Sequence, residues 1–337
     1  MRPTARGRVA ARSVPIAVLA LLTALAGWLP SAAAAADGTD GKSQAWSVQP
    51  TDKGSGAARR LAFQLDAPPG AVIRDSVRIS NLSTEPISFQ VYGADAYNTP
   101  RDGGLAYRQA GEAQHDVGAW VQLRTNAMVI PERRAADIPF TVTVPEDATP
   151  GTHTGGVIAL DNALRGAGTT DSGVDVSIQR AIAVRLELTV SGPRTPGLSV
   201  TGVRLDQTPG GAPFEAGRAT VQYTVTNTGN TPVQGKAAIE VTGLFGHTVA
   251  TRTRSLPLIL PGQHTELTLD AGRSPPVDLL TAKVTVTGTG APATTARVHR
   301  LALSWPTLAS VAVAAALLAV GLSQLRRRRR TLALEHA

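Results

Sequence analysis

From Leu61 to Thr287 apolar and polar residues mostly alternate, as in Leu61, Phe63 and Leu65; Ile87, Phe89 and Val91; Ile138, Phe140, Val142 and Val144; and Ala219, Val221, Tyr223 and Val225. Successive side chains of an extended chain point to opposite faces, so a period of two means strands with one face buried. Pro and Gly interrupt the pattern at short intervals, at Pro68-Pro69-Gly70, Pro100, Gly103-Gly104, Pro150-Gly151, Pro209-Gly210-Gly211 and Pro261-Gly262, and no long window carries a helical stripe. Many short strands with regular turns make a sandwich or a barrel, so the body of the chain is expected to be all-β and immunoglobulin-like. The chain has no cysteine. Disulfides and thiolate metal sites are therefore excluded, and the fold must be stable by burial alone.

A repeat lies within this pattern. The strand from Val77 to Asn81 is followed by Pro86-Ile87, and the strand from Tyr223 to Asn227 by Pro232-Val233. Each copy then meets an apolar-Pro edge before another alternating strand: Ile130-Pro131 ahead of Ile138, and Leu260-Pro261 ahead of Leu267. Pro86 and Pro131 are 45 residues apart but Pro232 and Pro261 only 29, so the first copy carries an insertion of about 16 residues. This implies two tandem sandwiches of related topology, over residues 46–192 and 198–290, joined by a stiff Pro/Gly linker at 193–197. The linker has few apolar residues to bury, so each sandwich is expected to fold by itself.

The two ends are of a different kind. Arg2, Arg6, Arg8 and Arg12 precede an apolar stretch from Val14 to Leu29 and an alanine run ending at Ala36. Residues 1–36 thus read as a signal peptide cleaved after Ala36, with 37–45 a linker; an N-terminal anchor is the alternative, disfavoured by the short apolar run. Trp305 to Leu325 is an uncharged apolar run long enough to cross a bilayer, and Arg326 to Arg330 follow at once. Five consecutive arginines mark the cytoplasmic side, so a single-pass cell-membrane protein is expected, N-terminus outside, with a basic cytoplasmic tail at 326–337. The net charge of +8 resides entirely in these ends, +4 in residues 1–36 and +4 in 305–337, and the segment between carries none. A nucleic-acid partner is excluded on that balance.

Catalytic chemistry finds no support. There is no Gly-x-Ser-x-Gly, no His-Glu-x-x-His and no glycine-rich phosphate loop, and the six histidines are scattered. Neither an enzyme nor a cofactor or metal is expected. Binding candidates lie in the first sandwich. Its insertion places Tyr97 and Tyr107, with Arg101 and Arg108, just after Tyr92, and aromatic faces on loops suit either sugar rings or protein contacts. His153 sits in a turn with Gly155 and Gly156, where bare backbone allows close approach of a polar ligand or simply a sheet corner. Arg180 stands alone on the otherwise apolar even face of residues 174–190. A bulge, a structural ion pair or an anion-holding role each accounts for it. Trp120 reads as an ordinary core tryptophan.

The first sandwich resembles the peptidoglycan-binding domain of the WxL-interacting protein family. The resemblance is carried by Ala67 to Gly70, Asp75 to Asn81, Tyr92 to Ala96, and most specifically by Val144 to Val157 with its Pro-Gly-x-His-x-Gly-Gly ending. It implies a surface adaptor that holds cell-wall peptidoglycan, or another wall glycan, with the first domain and a WxL-type or other surface or host protein with the second, anchored in the lipid bilayer through residues 305–325. Three rivals remain open: an accessory subunit of a membrane complex, an assembly chaperone of the cell envelope, and a secreted hydrolase.

Overall fold

The computed structural model describes residues 45–52, 59–169 and 175–334. The expected signal peptide lies outside the described residues, as does the 37–45 linker up to residue 44. The chain is all-β, two immunoglobulin-like sandwiches in tandem followed by one C-terminal helix, as the alternation requires.

In the first sandwich the strands are β1 (Trp46–Pro50), β2 (Phe63–Ala67), β3 (Val72–Asn81), β4 (Ile87–Asn98), β5 (Leu105–Tyr107), β6 (Val121–Leu123), β7 (Ala127–Ile130), β8 (Ala135–Thr143), β9 (Gly151–Asp161), β10 (Arg165–Thr169), β11 (Asp175–Ile178) and β12 (Ala181–Val190), with a one-turn helix α1 (Val117–Trp120) before β6. One sheet runs β1-β3-β8-β6; the other runs β2-β12-β9-β4, with β5 and β7 both on β4. The apolar alternates of both sheets face inward, and the edge-to-face pairs Trp46–Phe89 (4.9 Å) and Phe63–Phe140 (5.0 Å) join the layers. β10 and β11 form a separate hairpin, so the alternating stretch up to Val190 is two strands and not one. The break falls at Gln179 and Arg180.

The second sandwich contains β13 (Leu198–Thr208), β14 (Gly217–Asn227), β15 (Gly235–Thr242), β16 (Thr248–Ser255), β17 (His264–Ser274), β18 (Val277–Gly288) and β19 (Ala291–Leu303). Its sheets run β13-β14-β17 and β16-β15-β18-β19. The two domains thus share an order: β3 on β8 answers β14 on β17, and β4-β9-β12 answers β15-β18-β19. The domain does not end at residue 290. β19 pairs with β18 along its length, from Ala291 opposite Gly288 to Leu303 opposite Val277, and Ala302 lies in the core. A helix α2 (Trp305–Leu334) starts one residue after β19 and continues past Leu325 into the arginine run. Its Trp305–Arg326 segment, 22 residues of mean hydropathy 2.0, is long and apolar enough to cross a membrane.

The repeated asparagines explain themselves. Asn81 Nδ2 donates to the carbonyls of Glu85 (2.8 Å), Ile130 (3.0 Å) and Pro131 (3.1 Å), and its Oδ1 accepts from Ser83 N–H (2.9 Å). Asn227 Nδ2 likewise donates to Thr231 and Ile259 (both 2.8 Å), and its Oδ1 accepts from Gly229 N–H (2.9 Å). In each sandwich one buried amide closes the turn after the strand and ties it to the facing apolar-Pro edge.

Candidate functional site: a polar cleft between the sandwiches

The two sandwiches meet at a packed junction. Asn98, buried at the end of β4, donates from Nδ2 to Leu258 O (2.8 Å) and accepts Leu260 N–H at Oδ1 (2.8 Å), both in the second sandwich. The turn after it adds Glu266 N–H to Pro100 O (2.7 Å). From the other side, Asn230 Nδ2 donates to Pro150 O (2.9 Å) and Pro193 O (2.8 Å), and Asn230 O accepts Thr152 N–H (2.9 Å). The approach is close enough that a Cβ on Gly151, at φ +133°, would stand 2.3 Å from Asn230 O. Asn98 and Pro100, within what reads in the sequence as a ligand-binding insertion, thus join it to the neighbouring domain.

Beside the weld opens a cleft of about 670 Å³. The first sandwich lines it with Tyr97, Arg108, Glu112, His115, Asp116 and His153, and the second with Asn230, Gln263, His264 and the Leu260-Pro261 edge. The loop carrying His115 and Asp116 is held by Asp95. That buried carboxylate accepts the backbone N–H groups of His115 (2.5 Å), Asp116 (3.0 Å) and Gly118 (2.7 Å), while its own N–H donates to Gln114 Oε1 (2.7 Å). Gly155 leaves room for this loop, since a Cβ there would stand 2.4 Å from Ala94 O and 2.6 Å from Val117.

His153 is the best-defined group in the cleft. Its Nε2 faces the Thr149 carbonyl (2.8 Å), an obligate acceptor, and its Nδ1 faces Asp116 Oδ1 (2.5 Å). Facing two acceptors, the ring can donate to both only as the imidazolium. Burial against Trp120, with ring centroids 4.8 Å apart, pulls its pKa down, but the Asp116 carboxylate and the Thr149 carbonyl together outweigh that and hold it above the ordinary histidine value. Trp120 is therefore partly a core residue and partly the platform under His153. A pH dependence follows. The folded pKa lies above the unfolded value of 6.5, so the folded state binds more protons in between, and the pair's contribution is complete below about pH 6.5 and lost as pH rises through the folded pKa. Thermal melts from pH 5 to pH 9 are expected to fall over that range in the parent and to flatten in Asp116→Asn and His153→Gln. An unchanged slope in both variants would assign the dependence to another group.

The structure brings Tyr97, Arg108 and His153 together and leaves the other expected site residues elsewhere. Tyr92 and Tyr107 line a second groove, of about 450 Å³, on the outer face of the β12-β9-β4 sheet. Gly156 serves that groove, since a Cβ there would meet the Tyr107 ring at 2.8 Å. Arg101 is exposed in the turn that docks on the second sandwich and does not line the cleft. Arg180 pairs with the buried carboxylate of Asp161 at 3.6 Å, the structural role open to it where the strand breaks. Asn98, Asn230, Asp95 and Asp116 are the members sequence reasoning missed. Asp95 lay within the string from Tyr92 to Ala96 and Asn98 within the insertion that begins at Tyr97, but neither was itself picked out. Among the described residues no group of His, Asp and Glu is placed to hold a metal ion.

Fold and cleft define a class: a two-sandwich body with a polar cleft between the sandwiches and an apolar C-terminal helix. No family model matches the sequence, and no curated protein does. Solved structures similar in outline include a chaperone–tip adhesin complex of CFA/I fimbriae (11% identity over 77% of this chain and 99% of that one, TM-score 0.33). Others are the CsuC–CsuE chaperone–tip adhesion subunit pre-assembly complex of Acinetobacter baumannii (11%, 69% and 93%, 0.34) and the Pseudomonas aeruginosa CupB2 chaperone (11%, 72% and 99%, 0.30). The strand orders above, not these likenesses, define the fold.

Proposed function

We propose that the chain is a non-catalytic, membrane-anchored accessory protein of the cell envelope, which binds an extracytoplasmic protein partner with both sandwiches acting as one body and so helps assemble or hold a surface complex. The weld through Asn98 and Asn230 supports this most directly. The polar groups of both domains converge on one cleft, which suits a single ligand held by the two together. Such a lining suits the main-chain and charged groups of a polypeptide. The anchor is α2, read as a single span with the ectodomain outside and the arginines of its far end in the cytoplasm.

Wall peptidoglycan is the second reading, as in the WxL-interacting proteins that the first sandwich resembles. It is favoured by Tyr97 set among hydrogen-bonding side chains in the cleft. Photocrosslinking from positions 97 and 264 in intact cells separates the two. The proposal expects discrete protein adducts that survive muramidase. Adducts that collapse on muramidase digestion, with saturable sedimentation of the ectodomain on insoluble peptidoglycan, would replace it with the wall-binding reading.

A further inference from the structure

The end of the second sandwich opposite the cleft is where α2 begins, and it has an unusual surface. Three turns gather there. The β13–β14 turn is tied to the helix by Phe214 N–H donating to Thr307 Oγ1 (2.9 Å). The turn after β15 is tied to β18 by Leu244 N–H donating to Asp278 Oδ1 (2.8 Å), and Asp278 adjoins Val277, which pairs with Leu303 at the end of β19. The β17–β18 turn completes the group. Ser304 and Thr307 are buried among these turns, so the helix leaves from a packed base.

This base displays apolar side chains to the outside. Phe245 is 97% exposed and Phe214 65%, each at the tip of its turn. Both have positive φ, +64° and +61°, and with Arg133 they are all the non-glycine residues of that kind among the described residues. That conformation is rare for a bulky side chain. On the outer face of the adjoining sheet, Val277 stands opposite Leu303 and Leu279 opposite Leu301, all exposed. The same face turns polar directly above, with Thr281 hydrogen-bonded to His299 (2.9 Å), then Lys283 opposite Arg297 and Thr285 opposite Thr295. The switch from polar to apolar thus occurs within a few residues of Trp305. Leu303 ends β19 two residues before Trp305, about 7 Å along an extended chain and comparable to the depth of a headgroup layer, and Leu301 lies one strand pair further out.

We propose that this end is a membrane footing. Phe245, Leu244 and Phe214 enter the boundary between headgroups and acyl chains of the outer leaflet, and the Val277–Leu303 and Leu279–Leu301 pairs lie against the headgroups. The ectodomain then stands on the bilayer in one orientation, with its cleft a full sandwich length above the surface. The inference rests on the reading of α2 as a membrane span. Continuity selects lipid as the occupant, because Leu303 stands two residues before Trp305, where the apolar run starts, and Phe214 is tied to Thr307 in its first turn.

The absence of cysteine makes the test direct. Single variants Phe245→Cys, Phe214→Cys, Thr285→Cys and Val313→Cys of the full chain, labelled with bimane, are reconstituted into vesicles of phosphatidylcholine and phosphatidylglycerol carrying shallow or deep spin-labelled lipid. Labels at 245 and 214 are expected to be quenched by the shallow lipid at least about threefold more than the label at 285, and the label at 313 by the deep lipid. If 313 is quenched but 245 and 214 behave like 285 and are open to aqueous iodide, the footing is overturned while the span stands. If 313 is not quenched, the span reading has failed and the footing falls with it.

Discussion

Asp95→Ala is expected to lower the stability of the first sandwich by about 3–4 kcal/mol, seen as a fall of roughly 6–16 °C in its melting temperature. The carboxylate is buried and accepts three backbone N–H groups of one loop, from His115, Asp116 and Gly118, none of which has a strand partner. A hydrogen bond to an ionised group contributes about 1.5–3 kcal/mol, and part of the loop can turn to water, so the total falls short of three full bonds. Asp95→Asn keeps one acceptor and should cost about half as much. The same loop carries Asp116, so Asp95→Ala should also flatten the pH dependence that the His153 pair gives the parent. A loss under about 1 kcal/mol, with that pH dependence intact, would mean that α1 and the glycines beside it hold the loop without the carboxylate.

Legibility in the sequence followed burial. Where one face of a strand is packed, as in β3, β8 and β14, alternation located its packed part, though β3 starts five residues and β8 three residues ahead of the reading. The repeat was visible because the buried asparagine and the apolar-Pro edge it binds stand at matching places in both copies. β19 was not visible for the opposite reason: it is an edge strand with Ala302 its single buried residue, and its inward positions, Thr294, Ala296, Val298 and Arg300, are too small or polar to give an apolar alternation. The insertion in the first copy adds β5 to its own sandwich, yet Asn98 and Pro100 within it serve the next one, a need that only the tertiary arrangement reveals. The cleft was legible in part. Tyr97, Arg108 and His153 are residue types that bind, but their convergence with His264 and Asn230 joins segments about 80 to 170 residues apart, which no local pattern encodes. Arg180 shows the limit from the other side. Its place in the apolar alternation marks a strand break, where it pairs with Asp161.

Asn81→Asp and Asn227→Asp are expected to destabilise by about 3–5 kcal/mol each, more than the corresponding alanine variants at about 2–3 kcal/mol, although aspartate is nearly the same size. Most of the bonds these side chains make are donated by the amide nitrogen to carbonyls: three from Asn81 and two from Asn227. A carboxylate has no such donor and would face the same carbonyls with a negative charge, in positions 1% and 0% exposed. Alanine merely leaves those carbonyls unpaired. The two sites lie in separate hydrophobic cores, so each substitution acts first on its own sandwich. The weld makes a further claim testable with the same proteins. If Asn98 and Asn230 couple the sandwiches, the ectodomain unfolds in a single transition that either variant lowers. Two resolved transitions, each lowered by only one of the two substitutions, would instead mean that the sandwiches unfold separately and that the cleft between them opens before either domain melts.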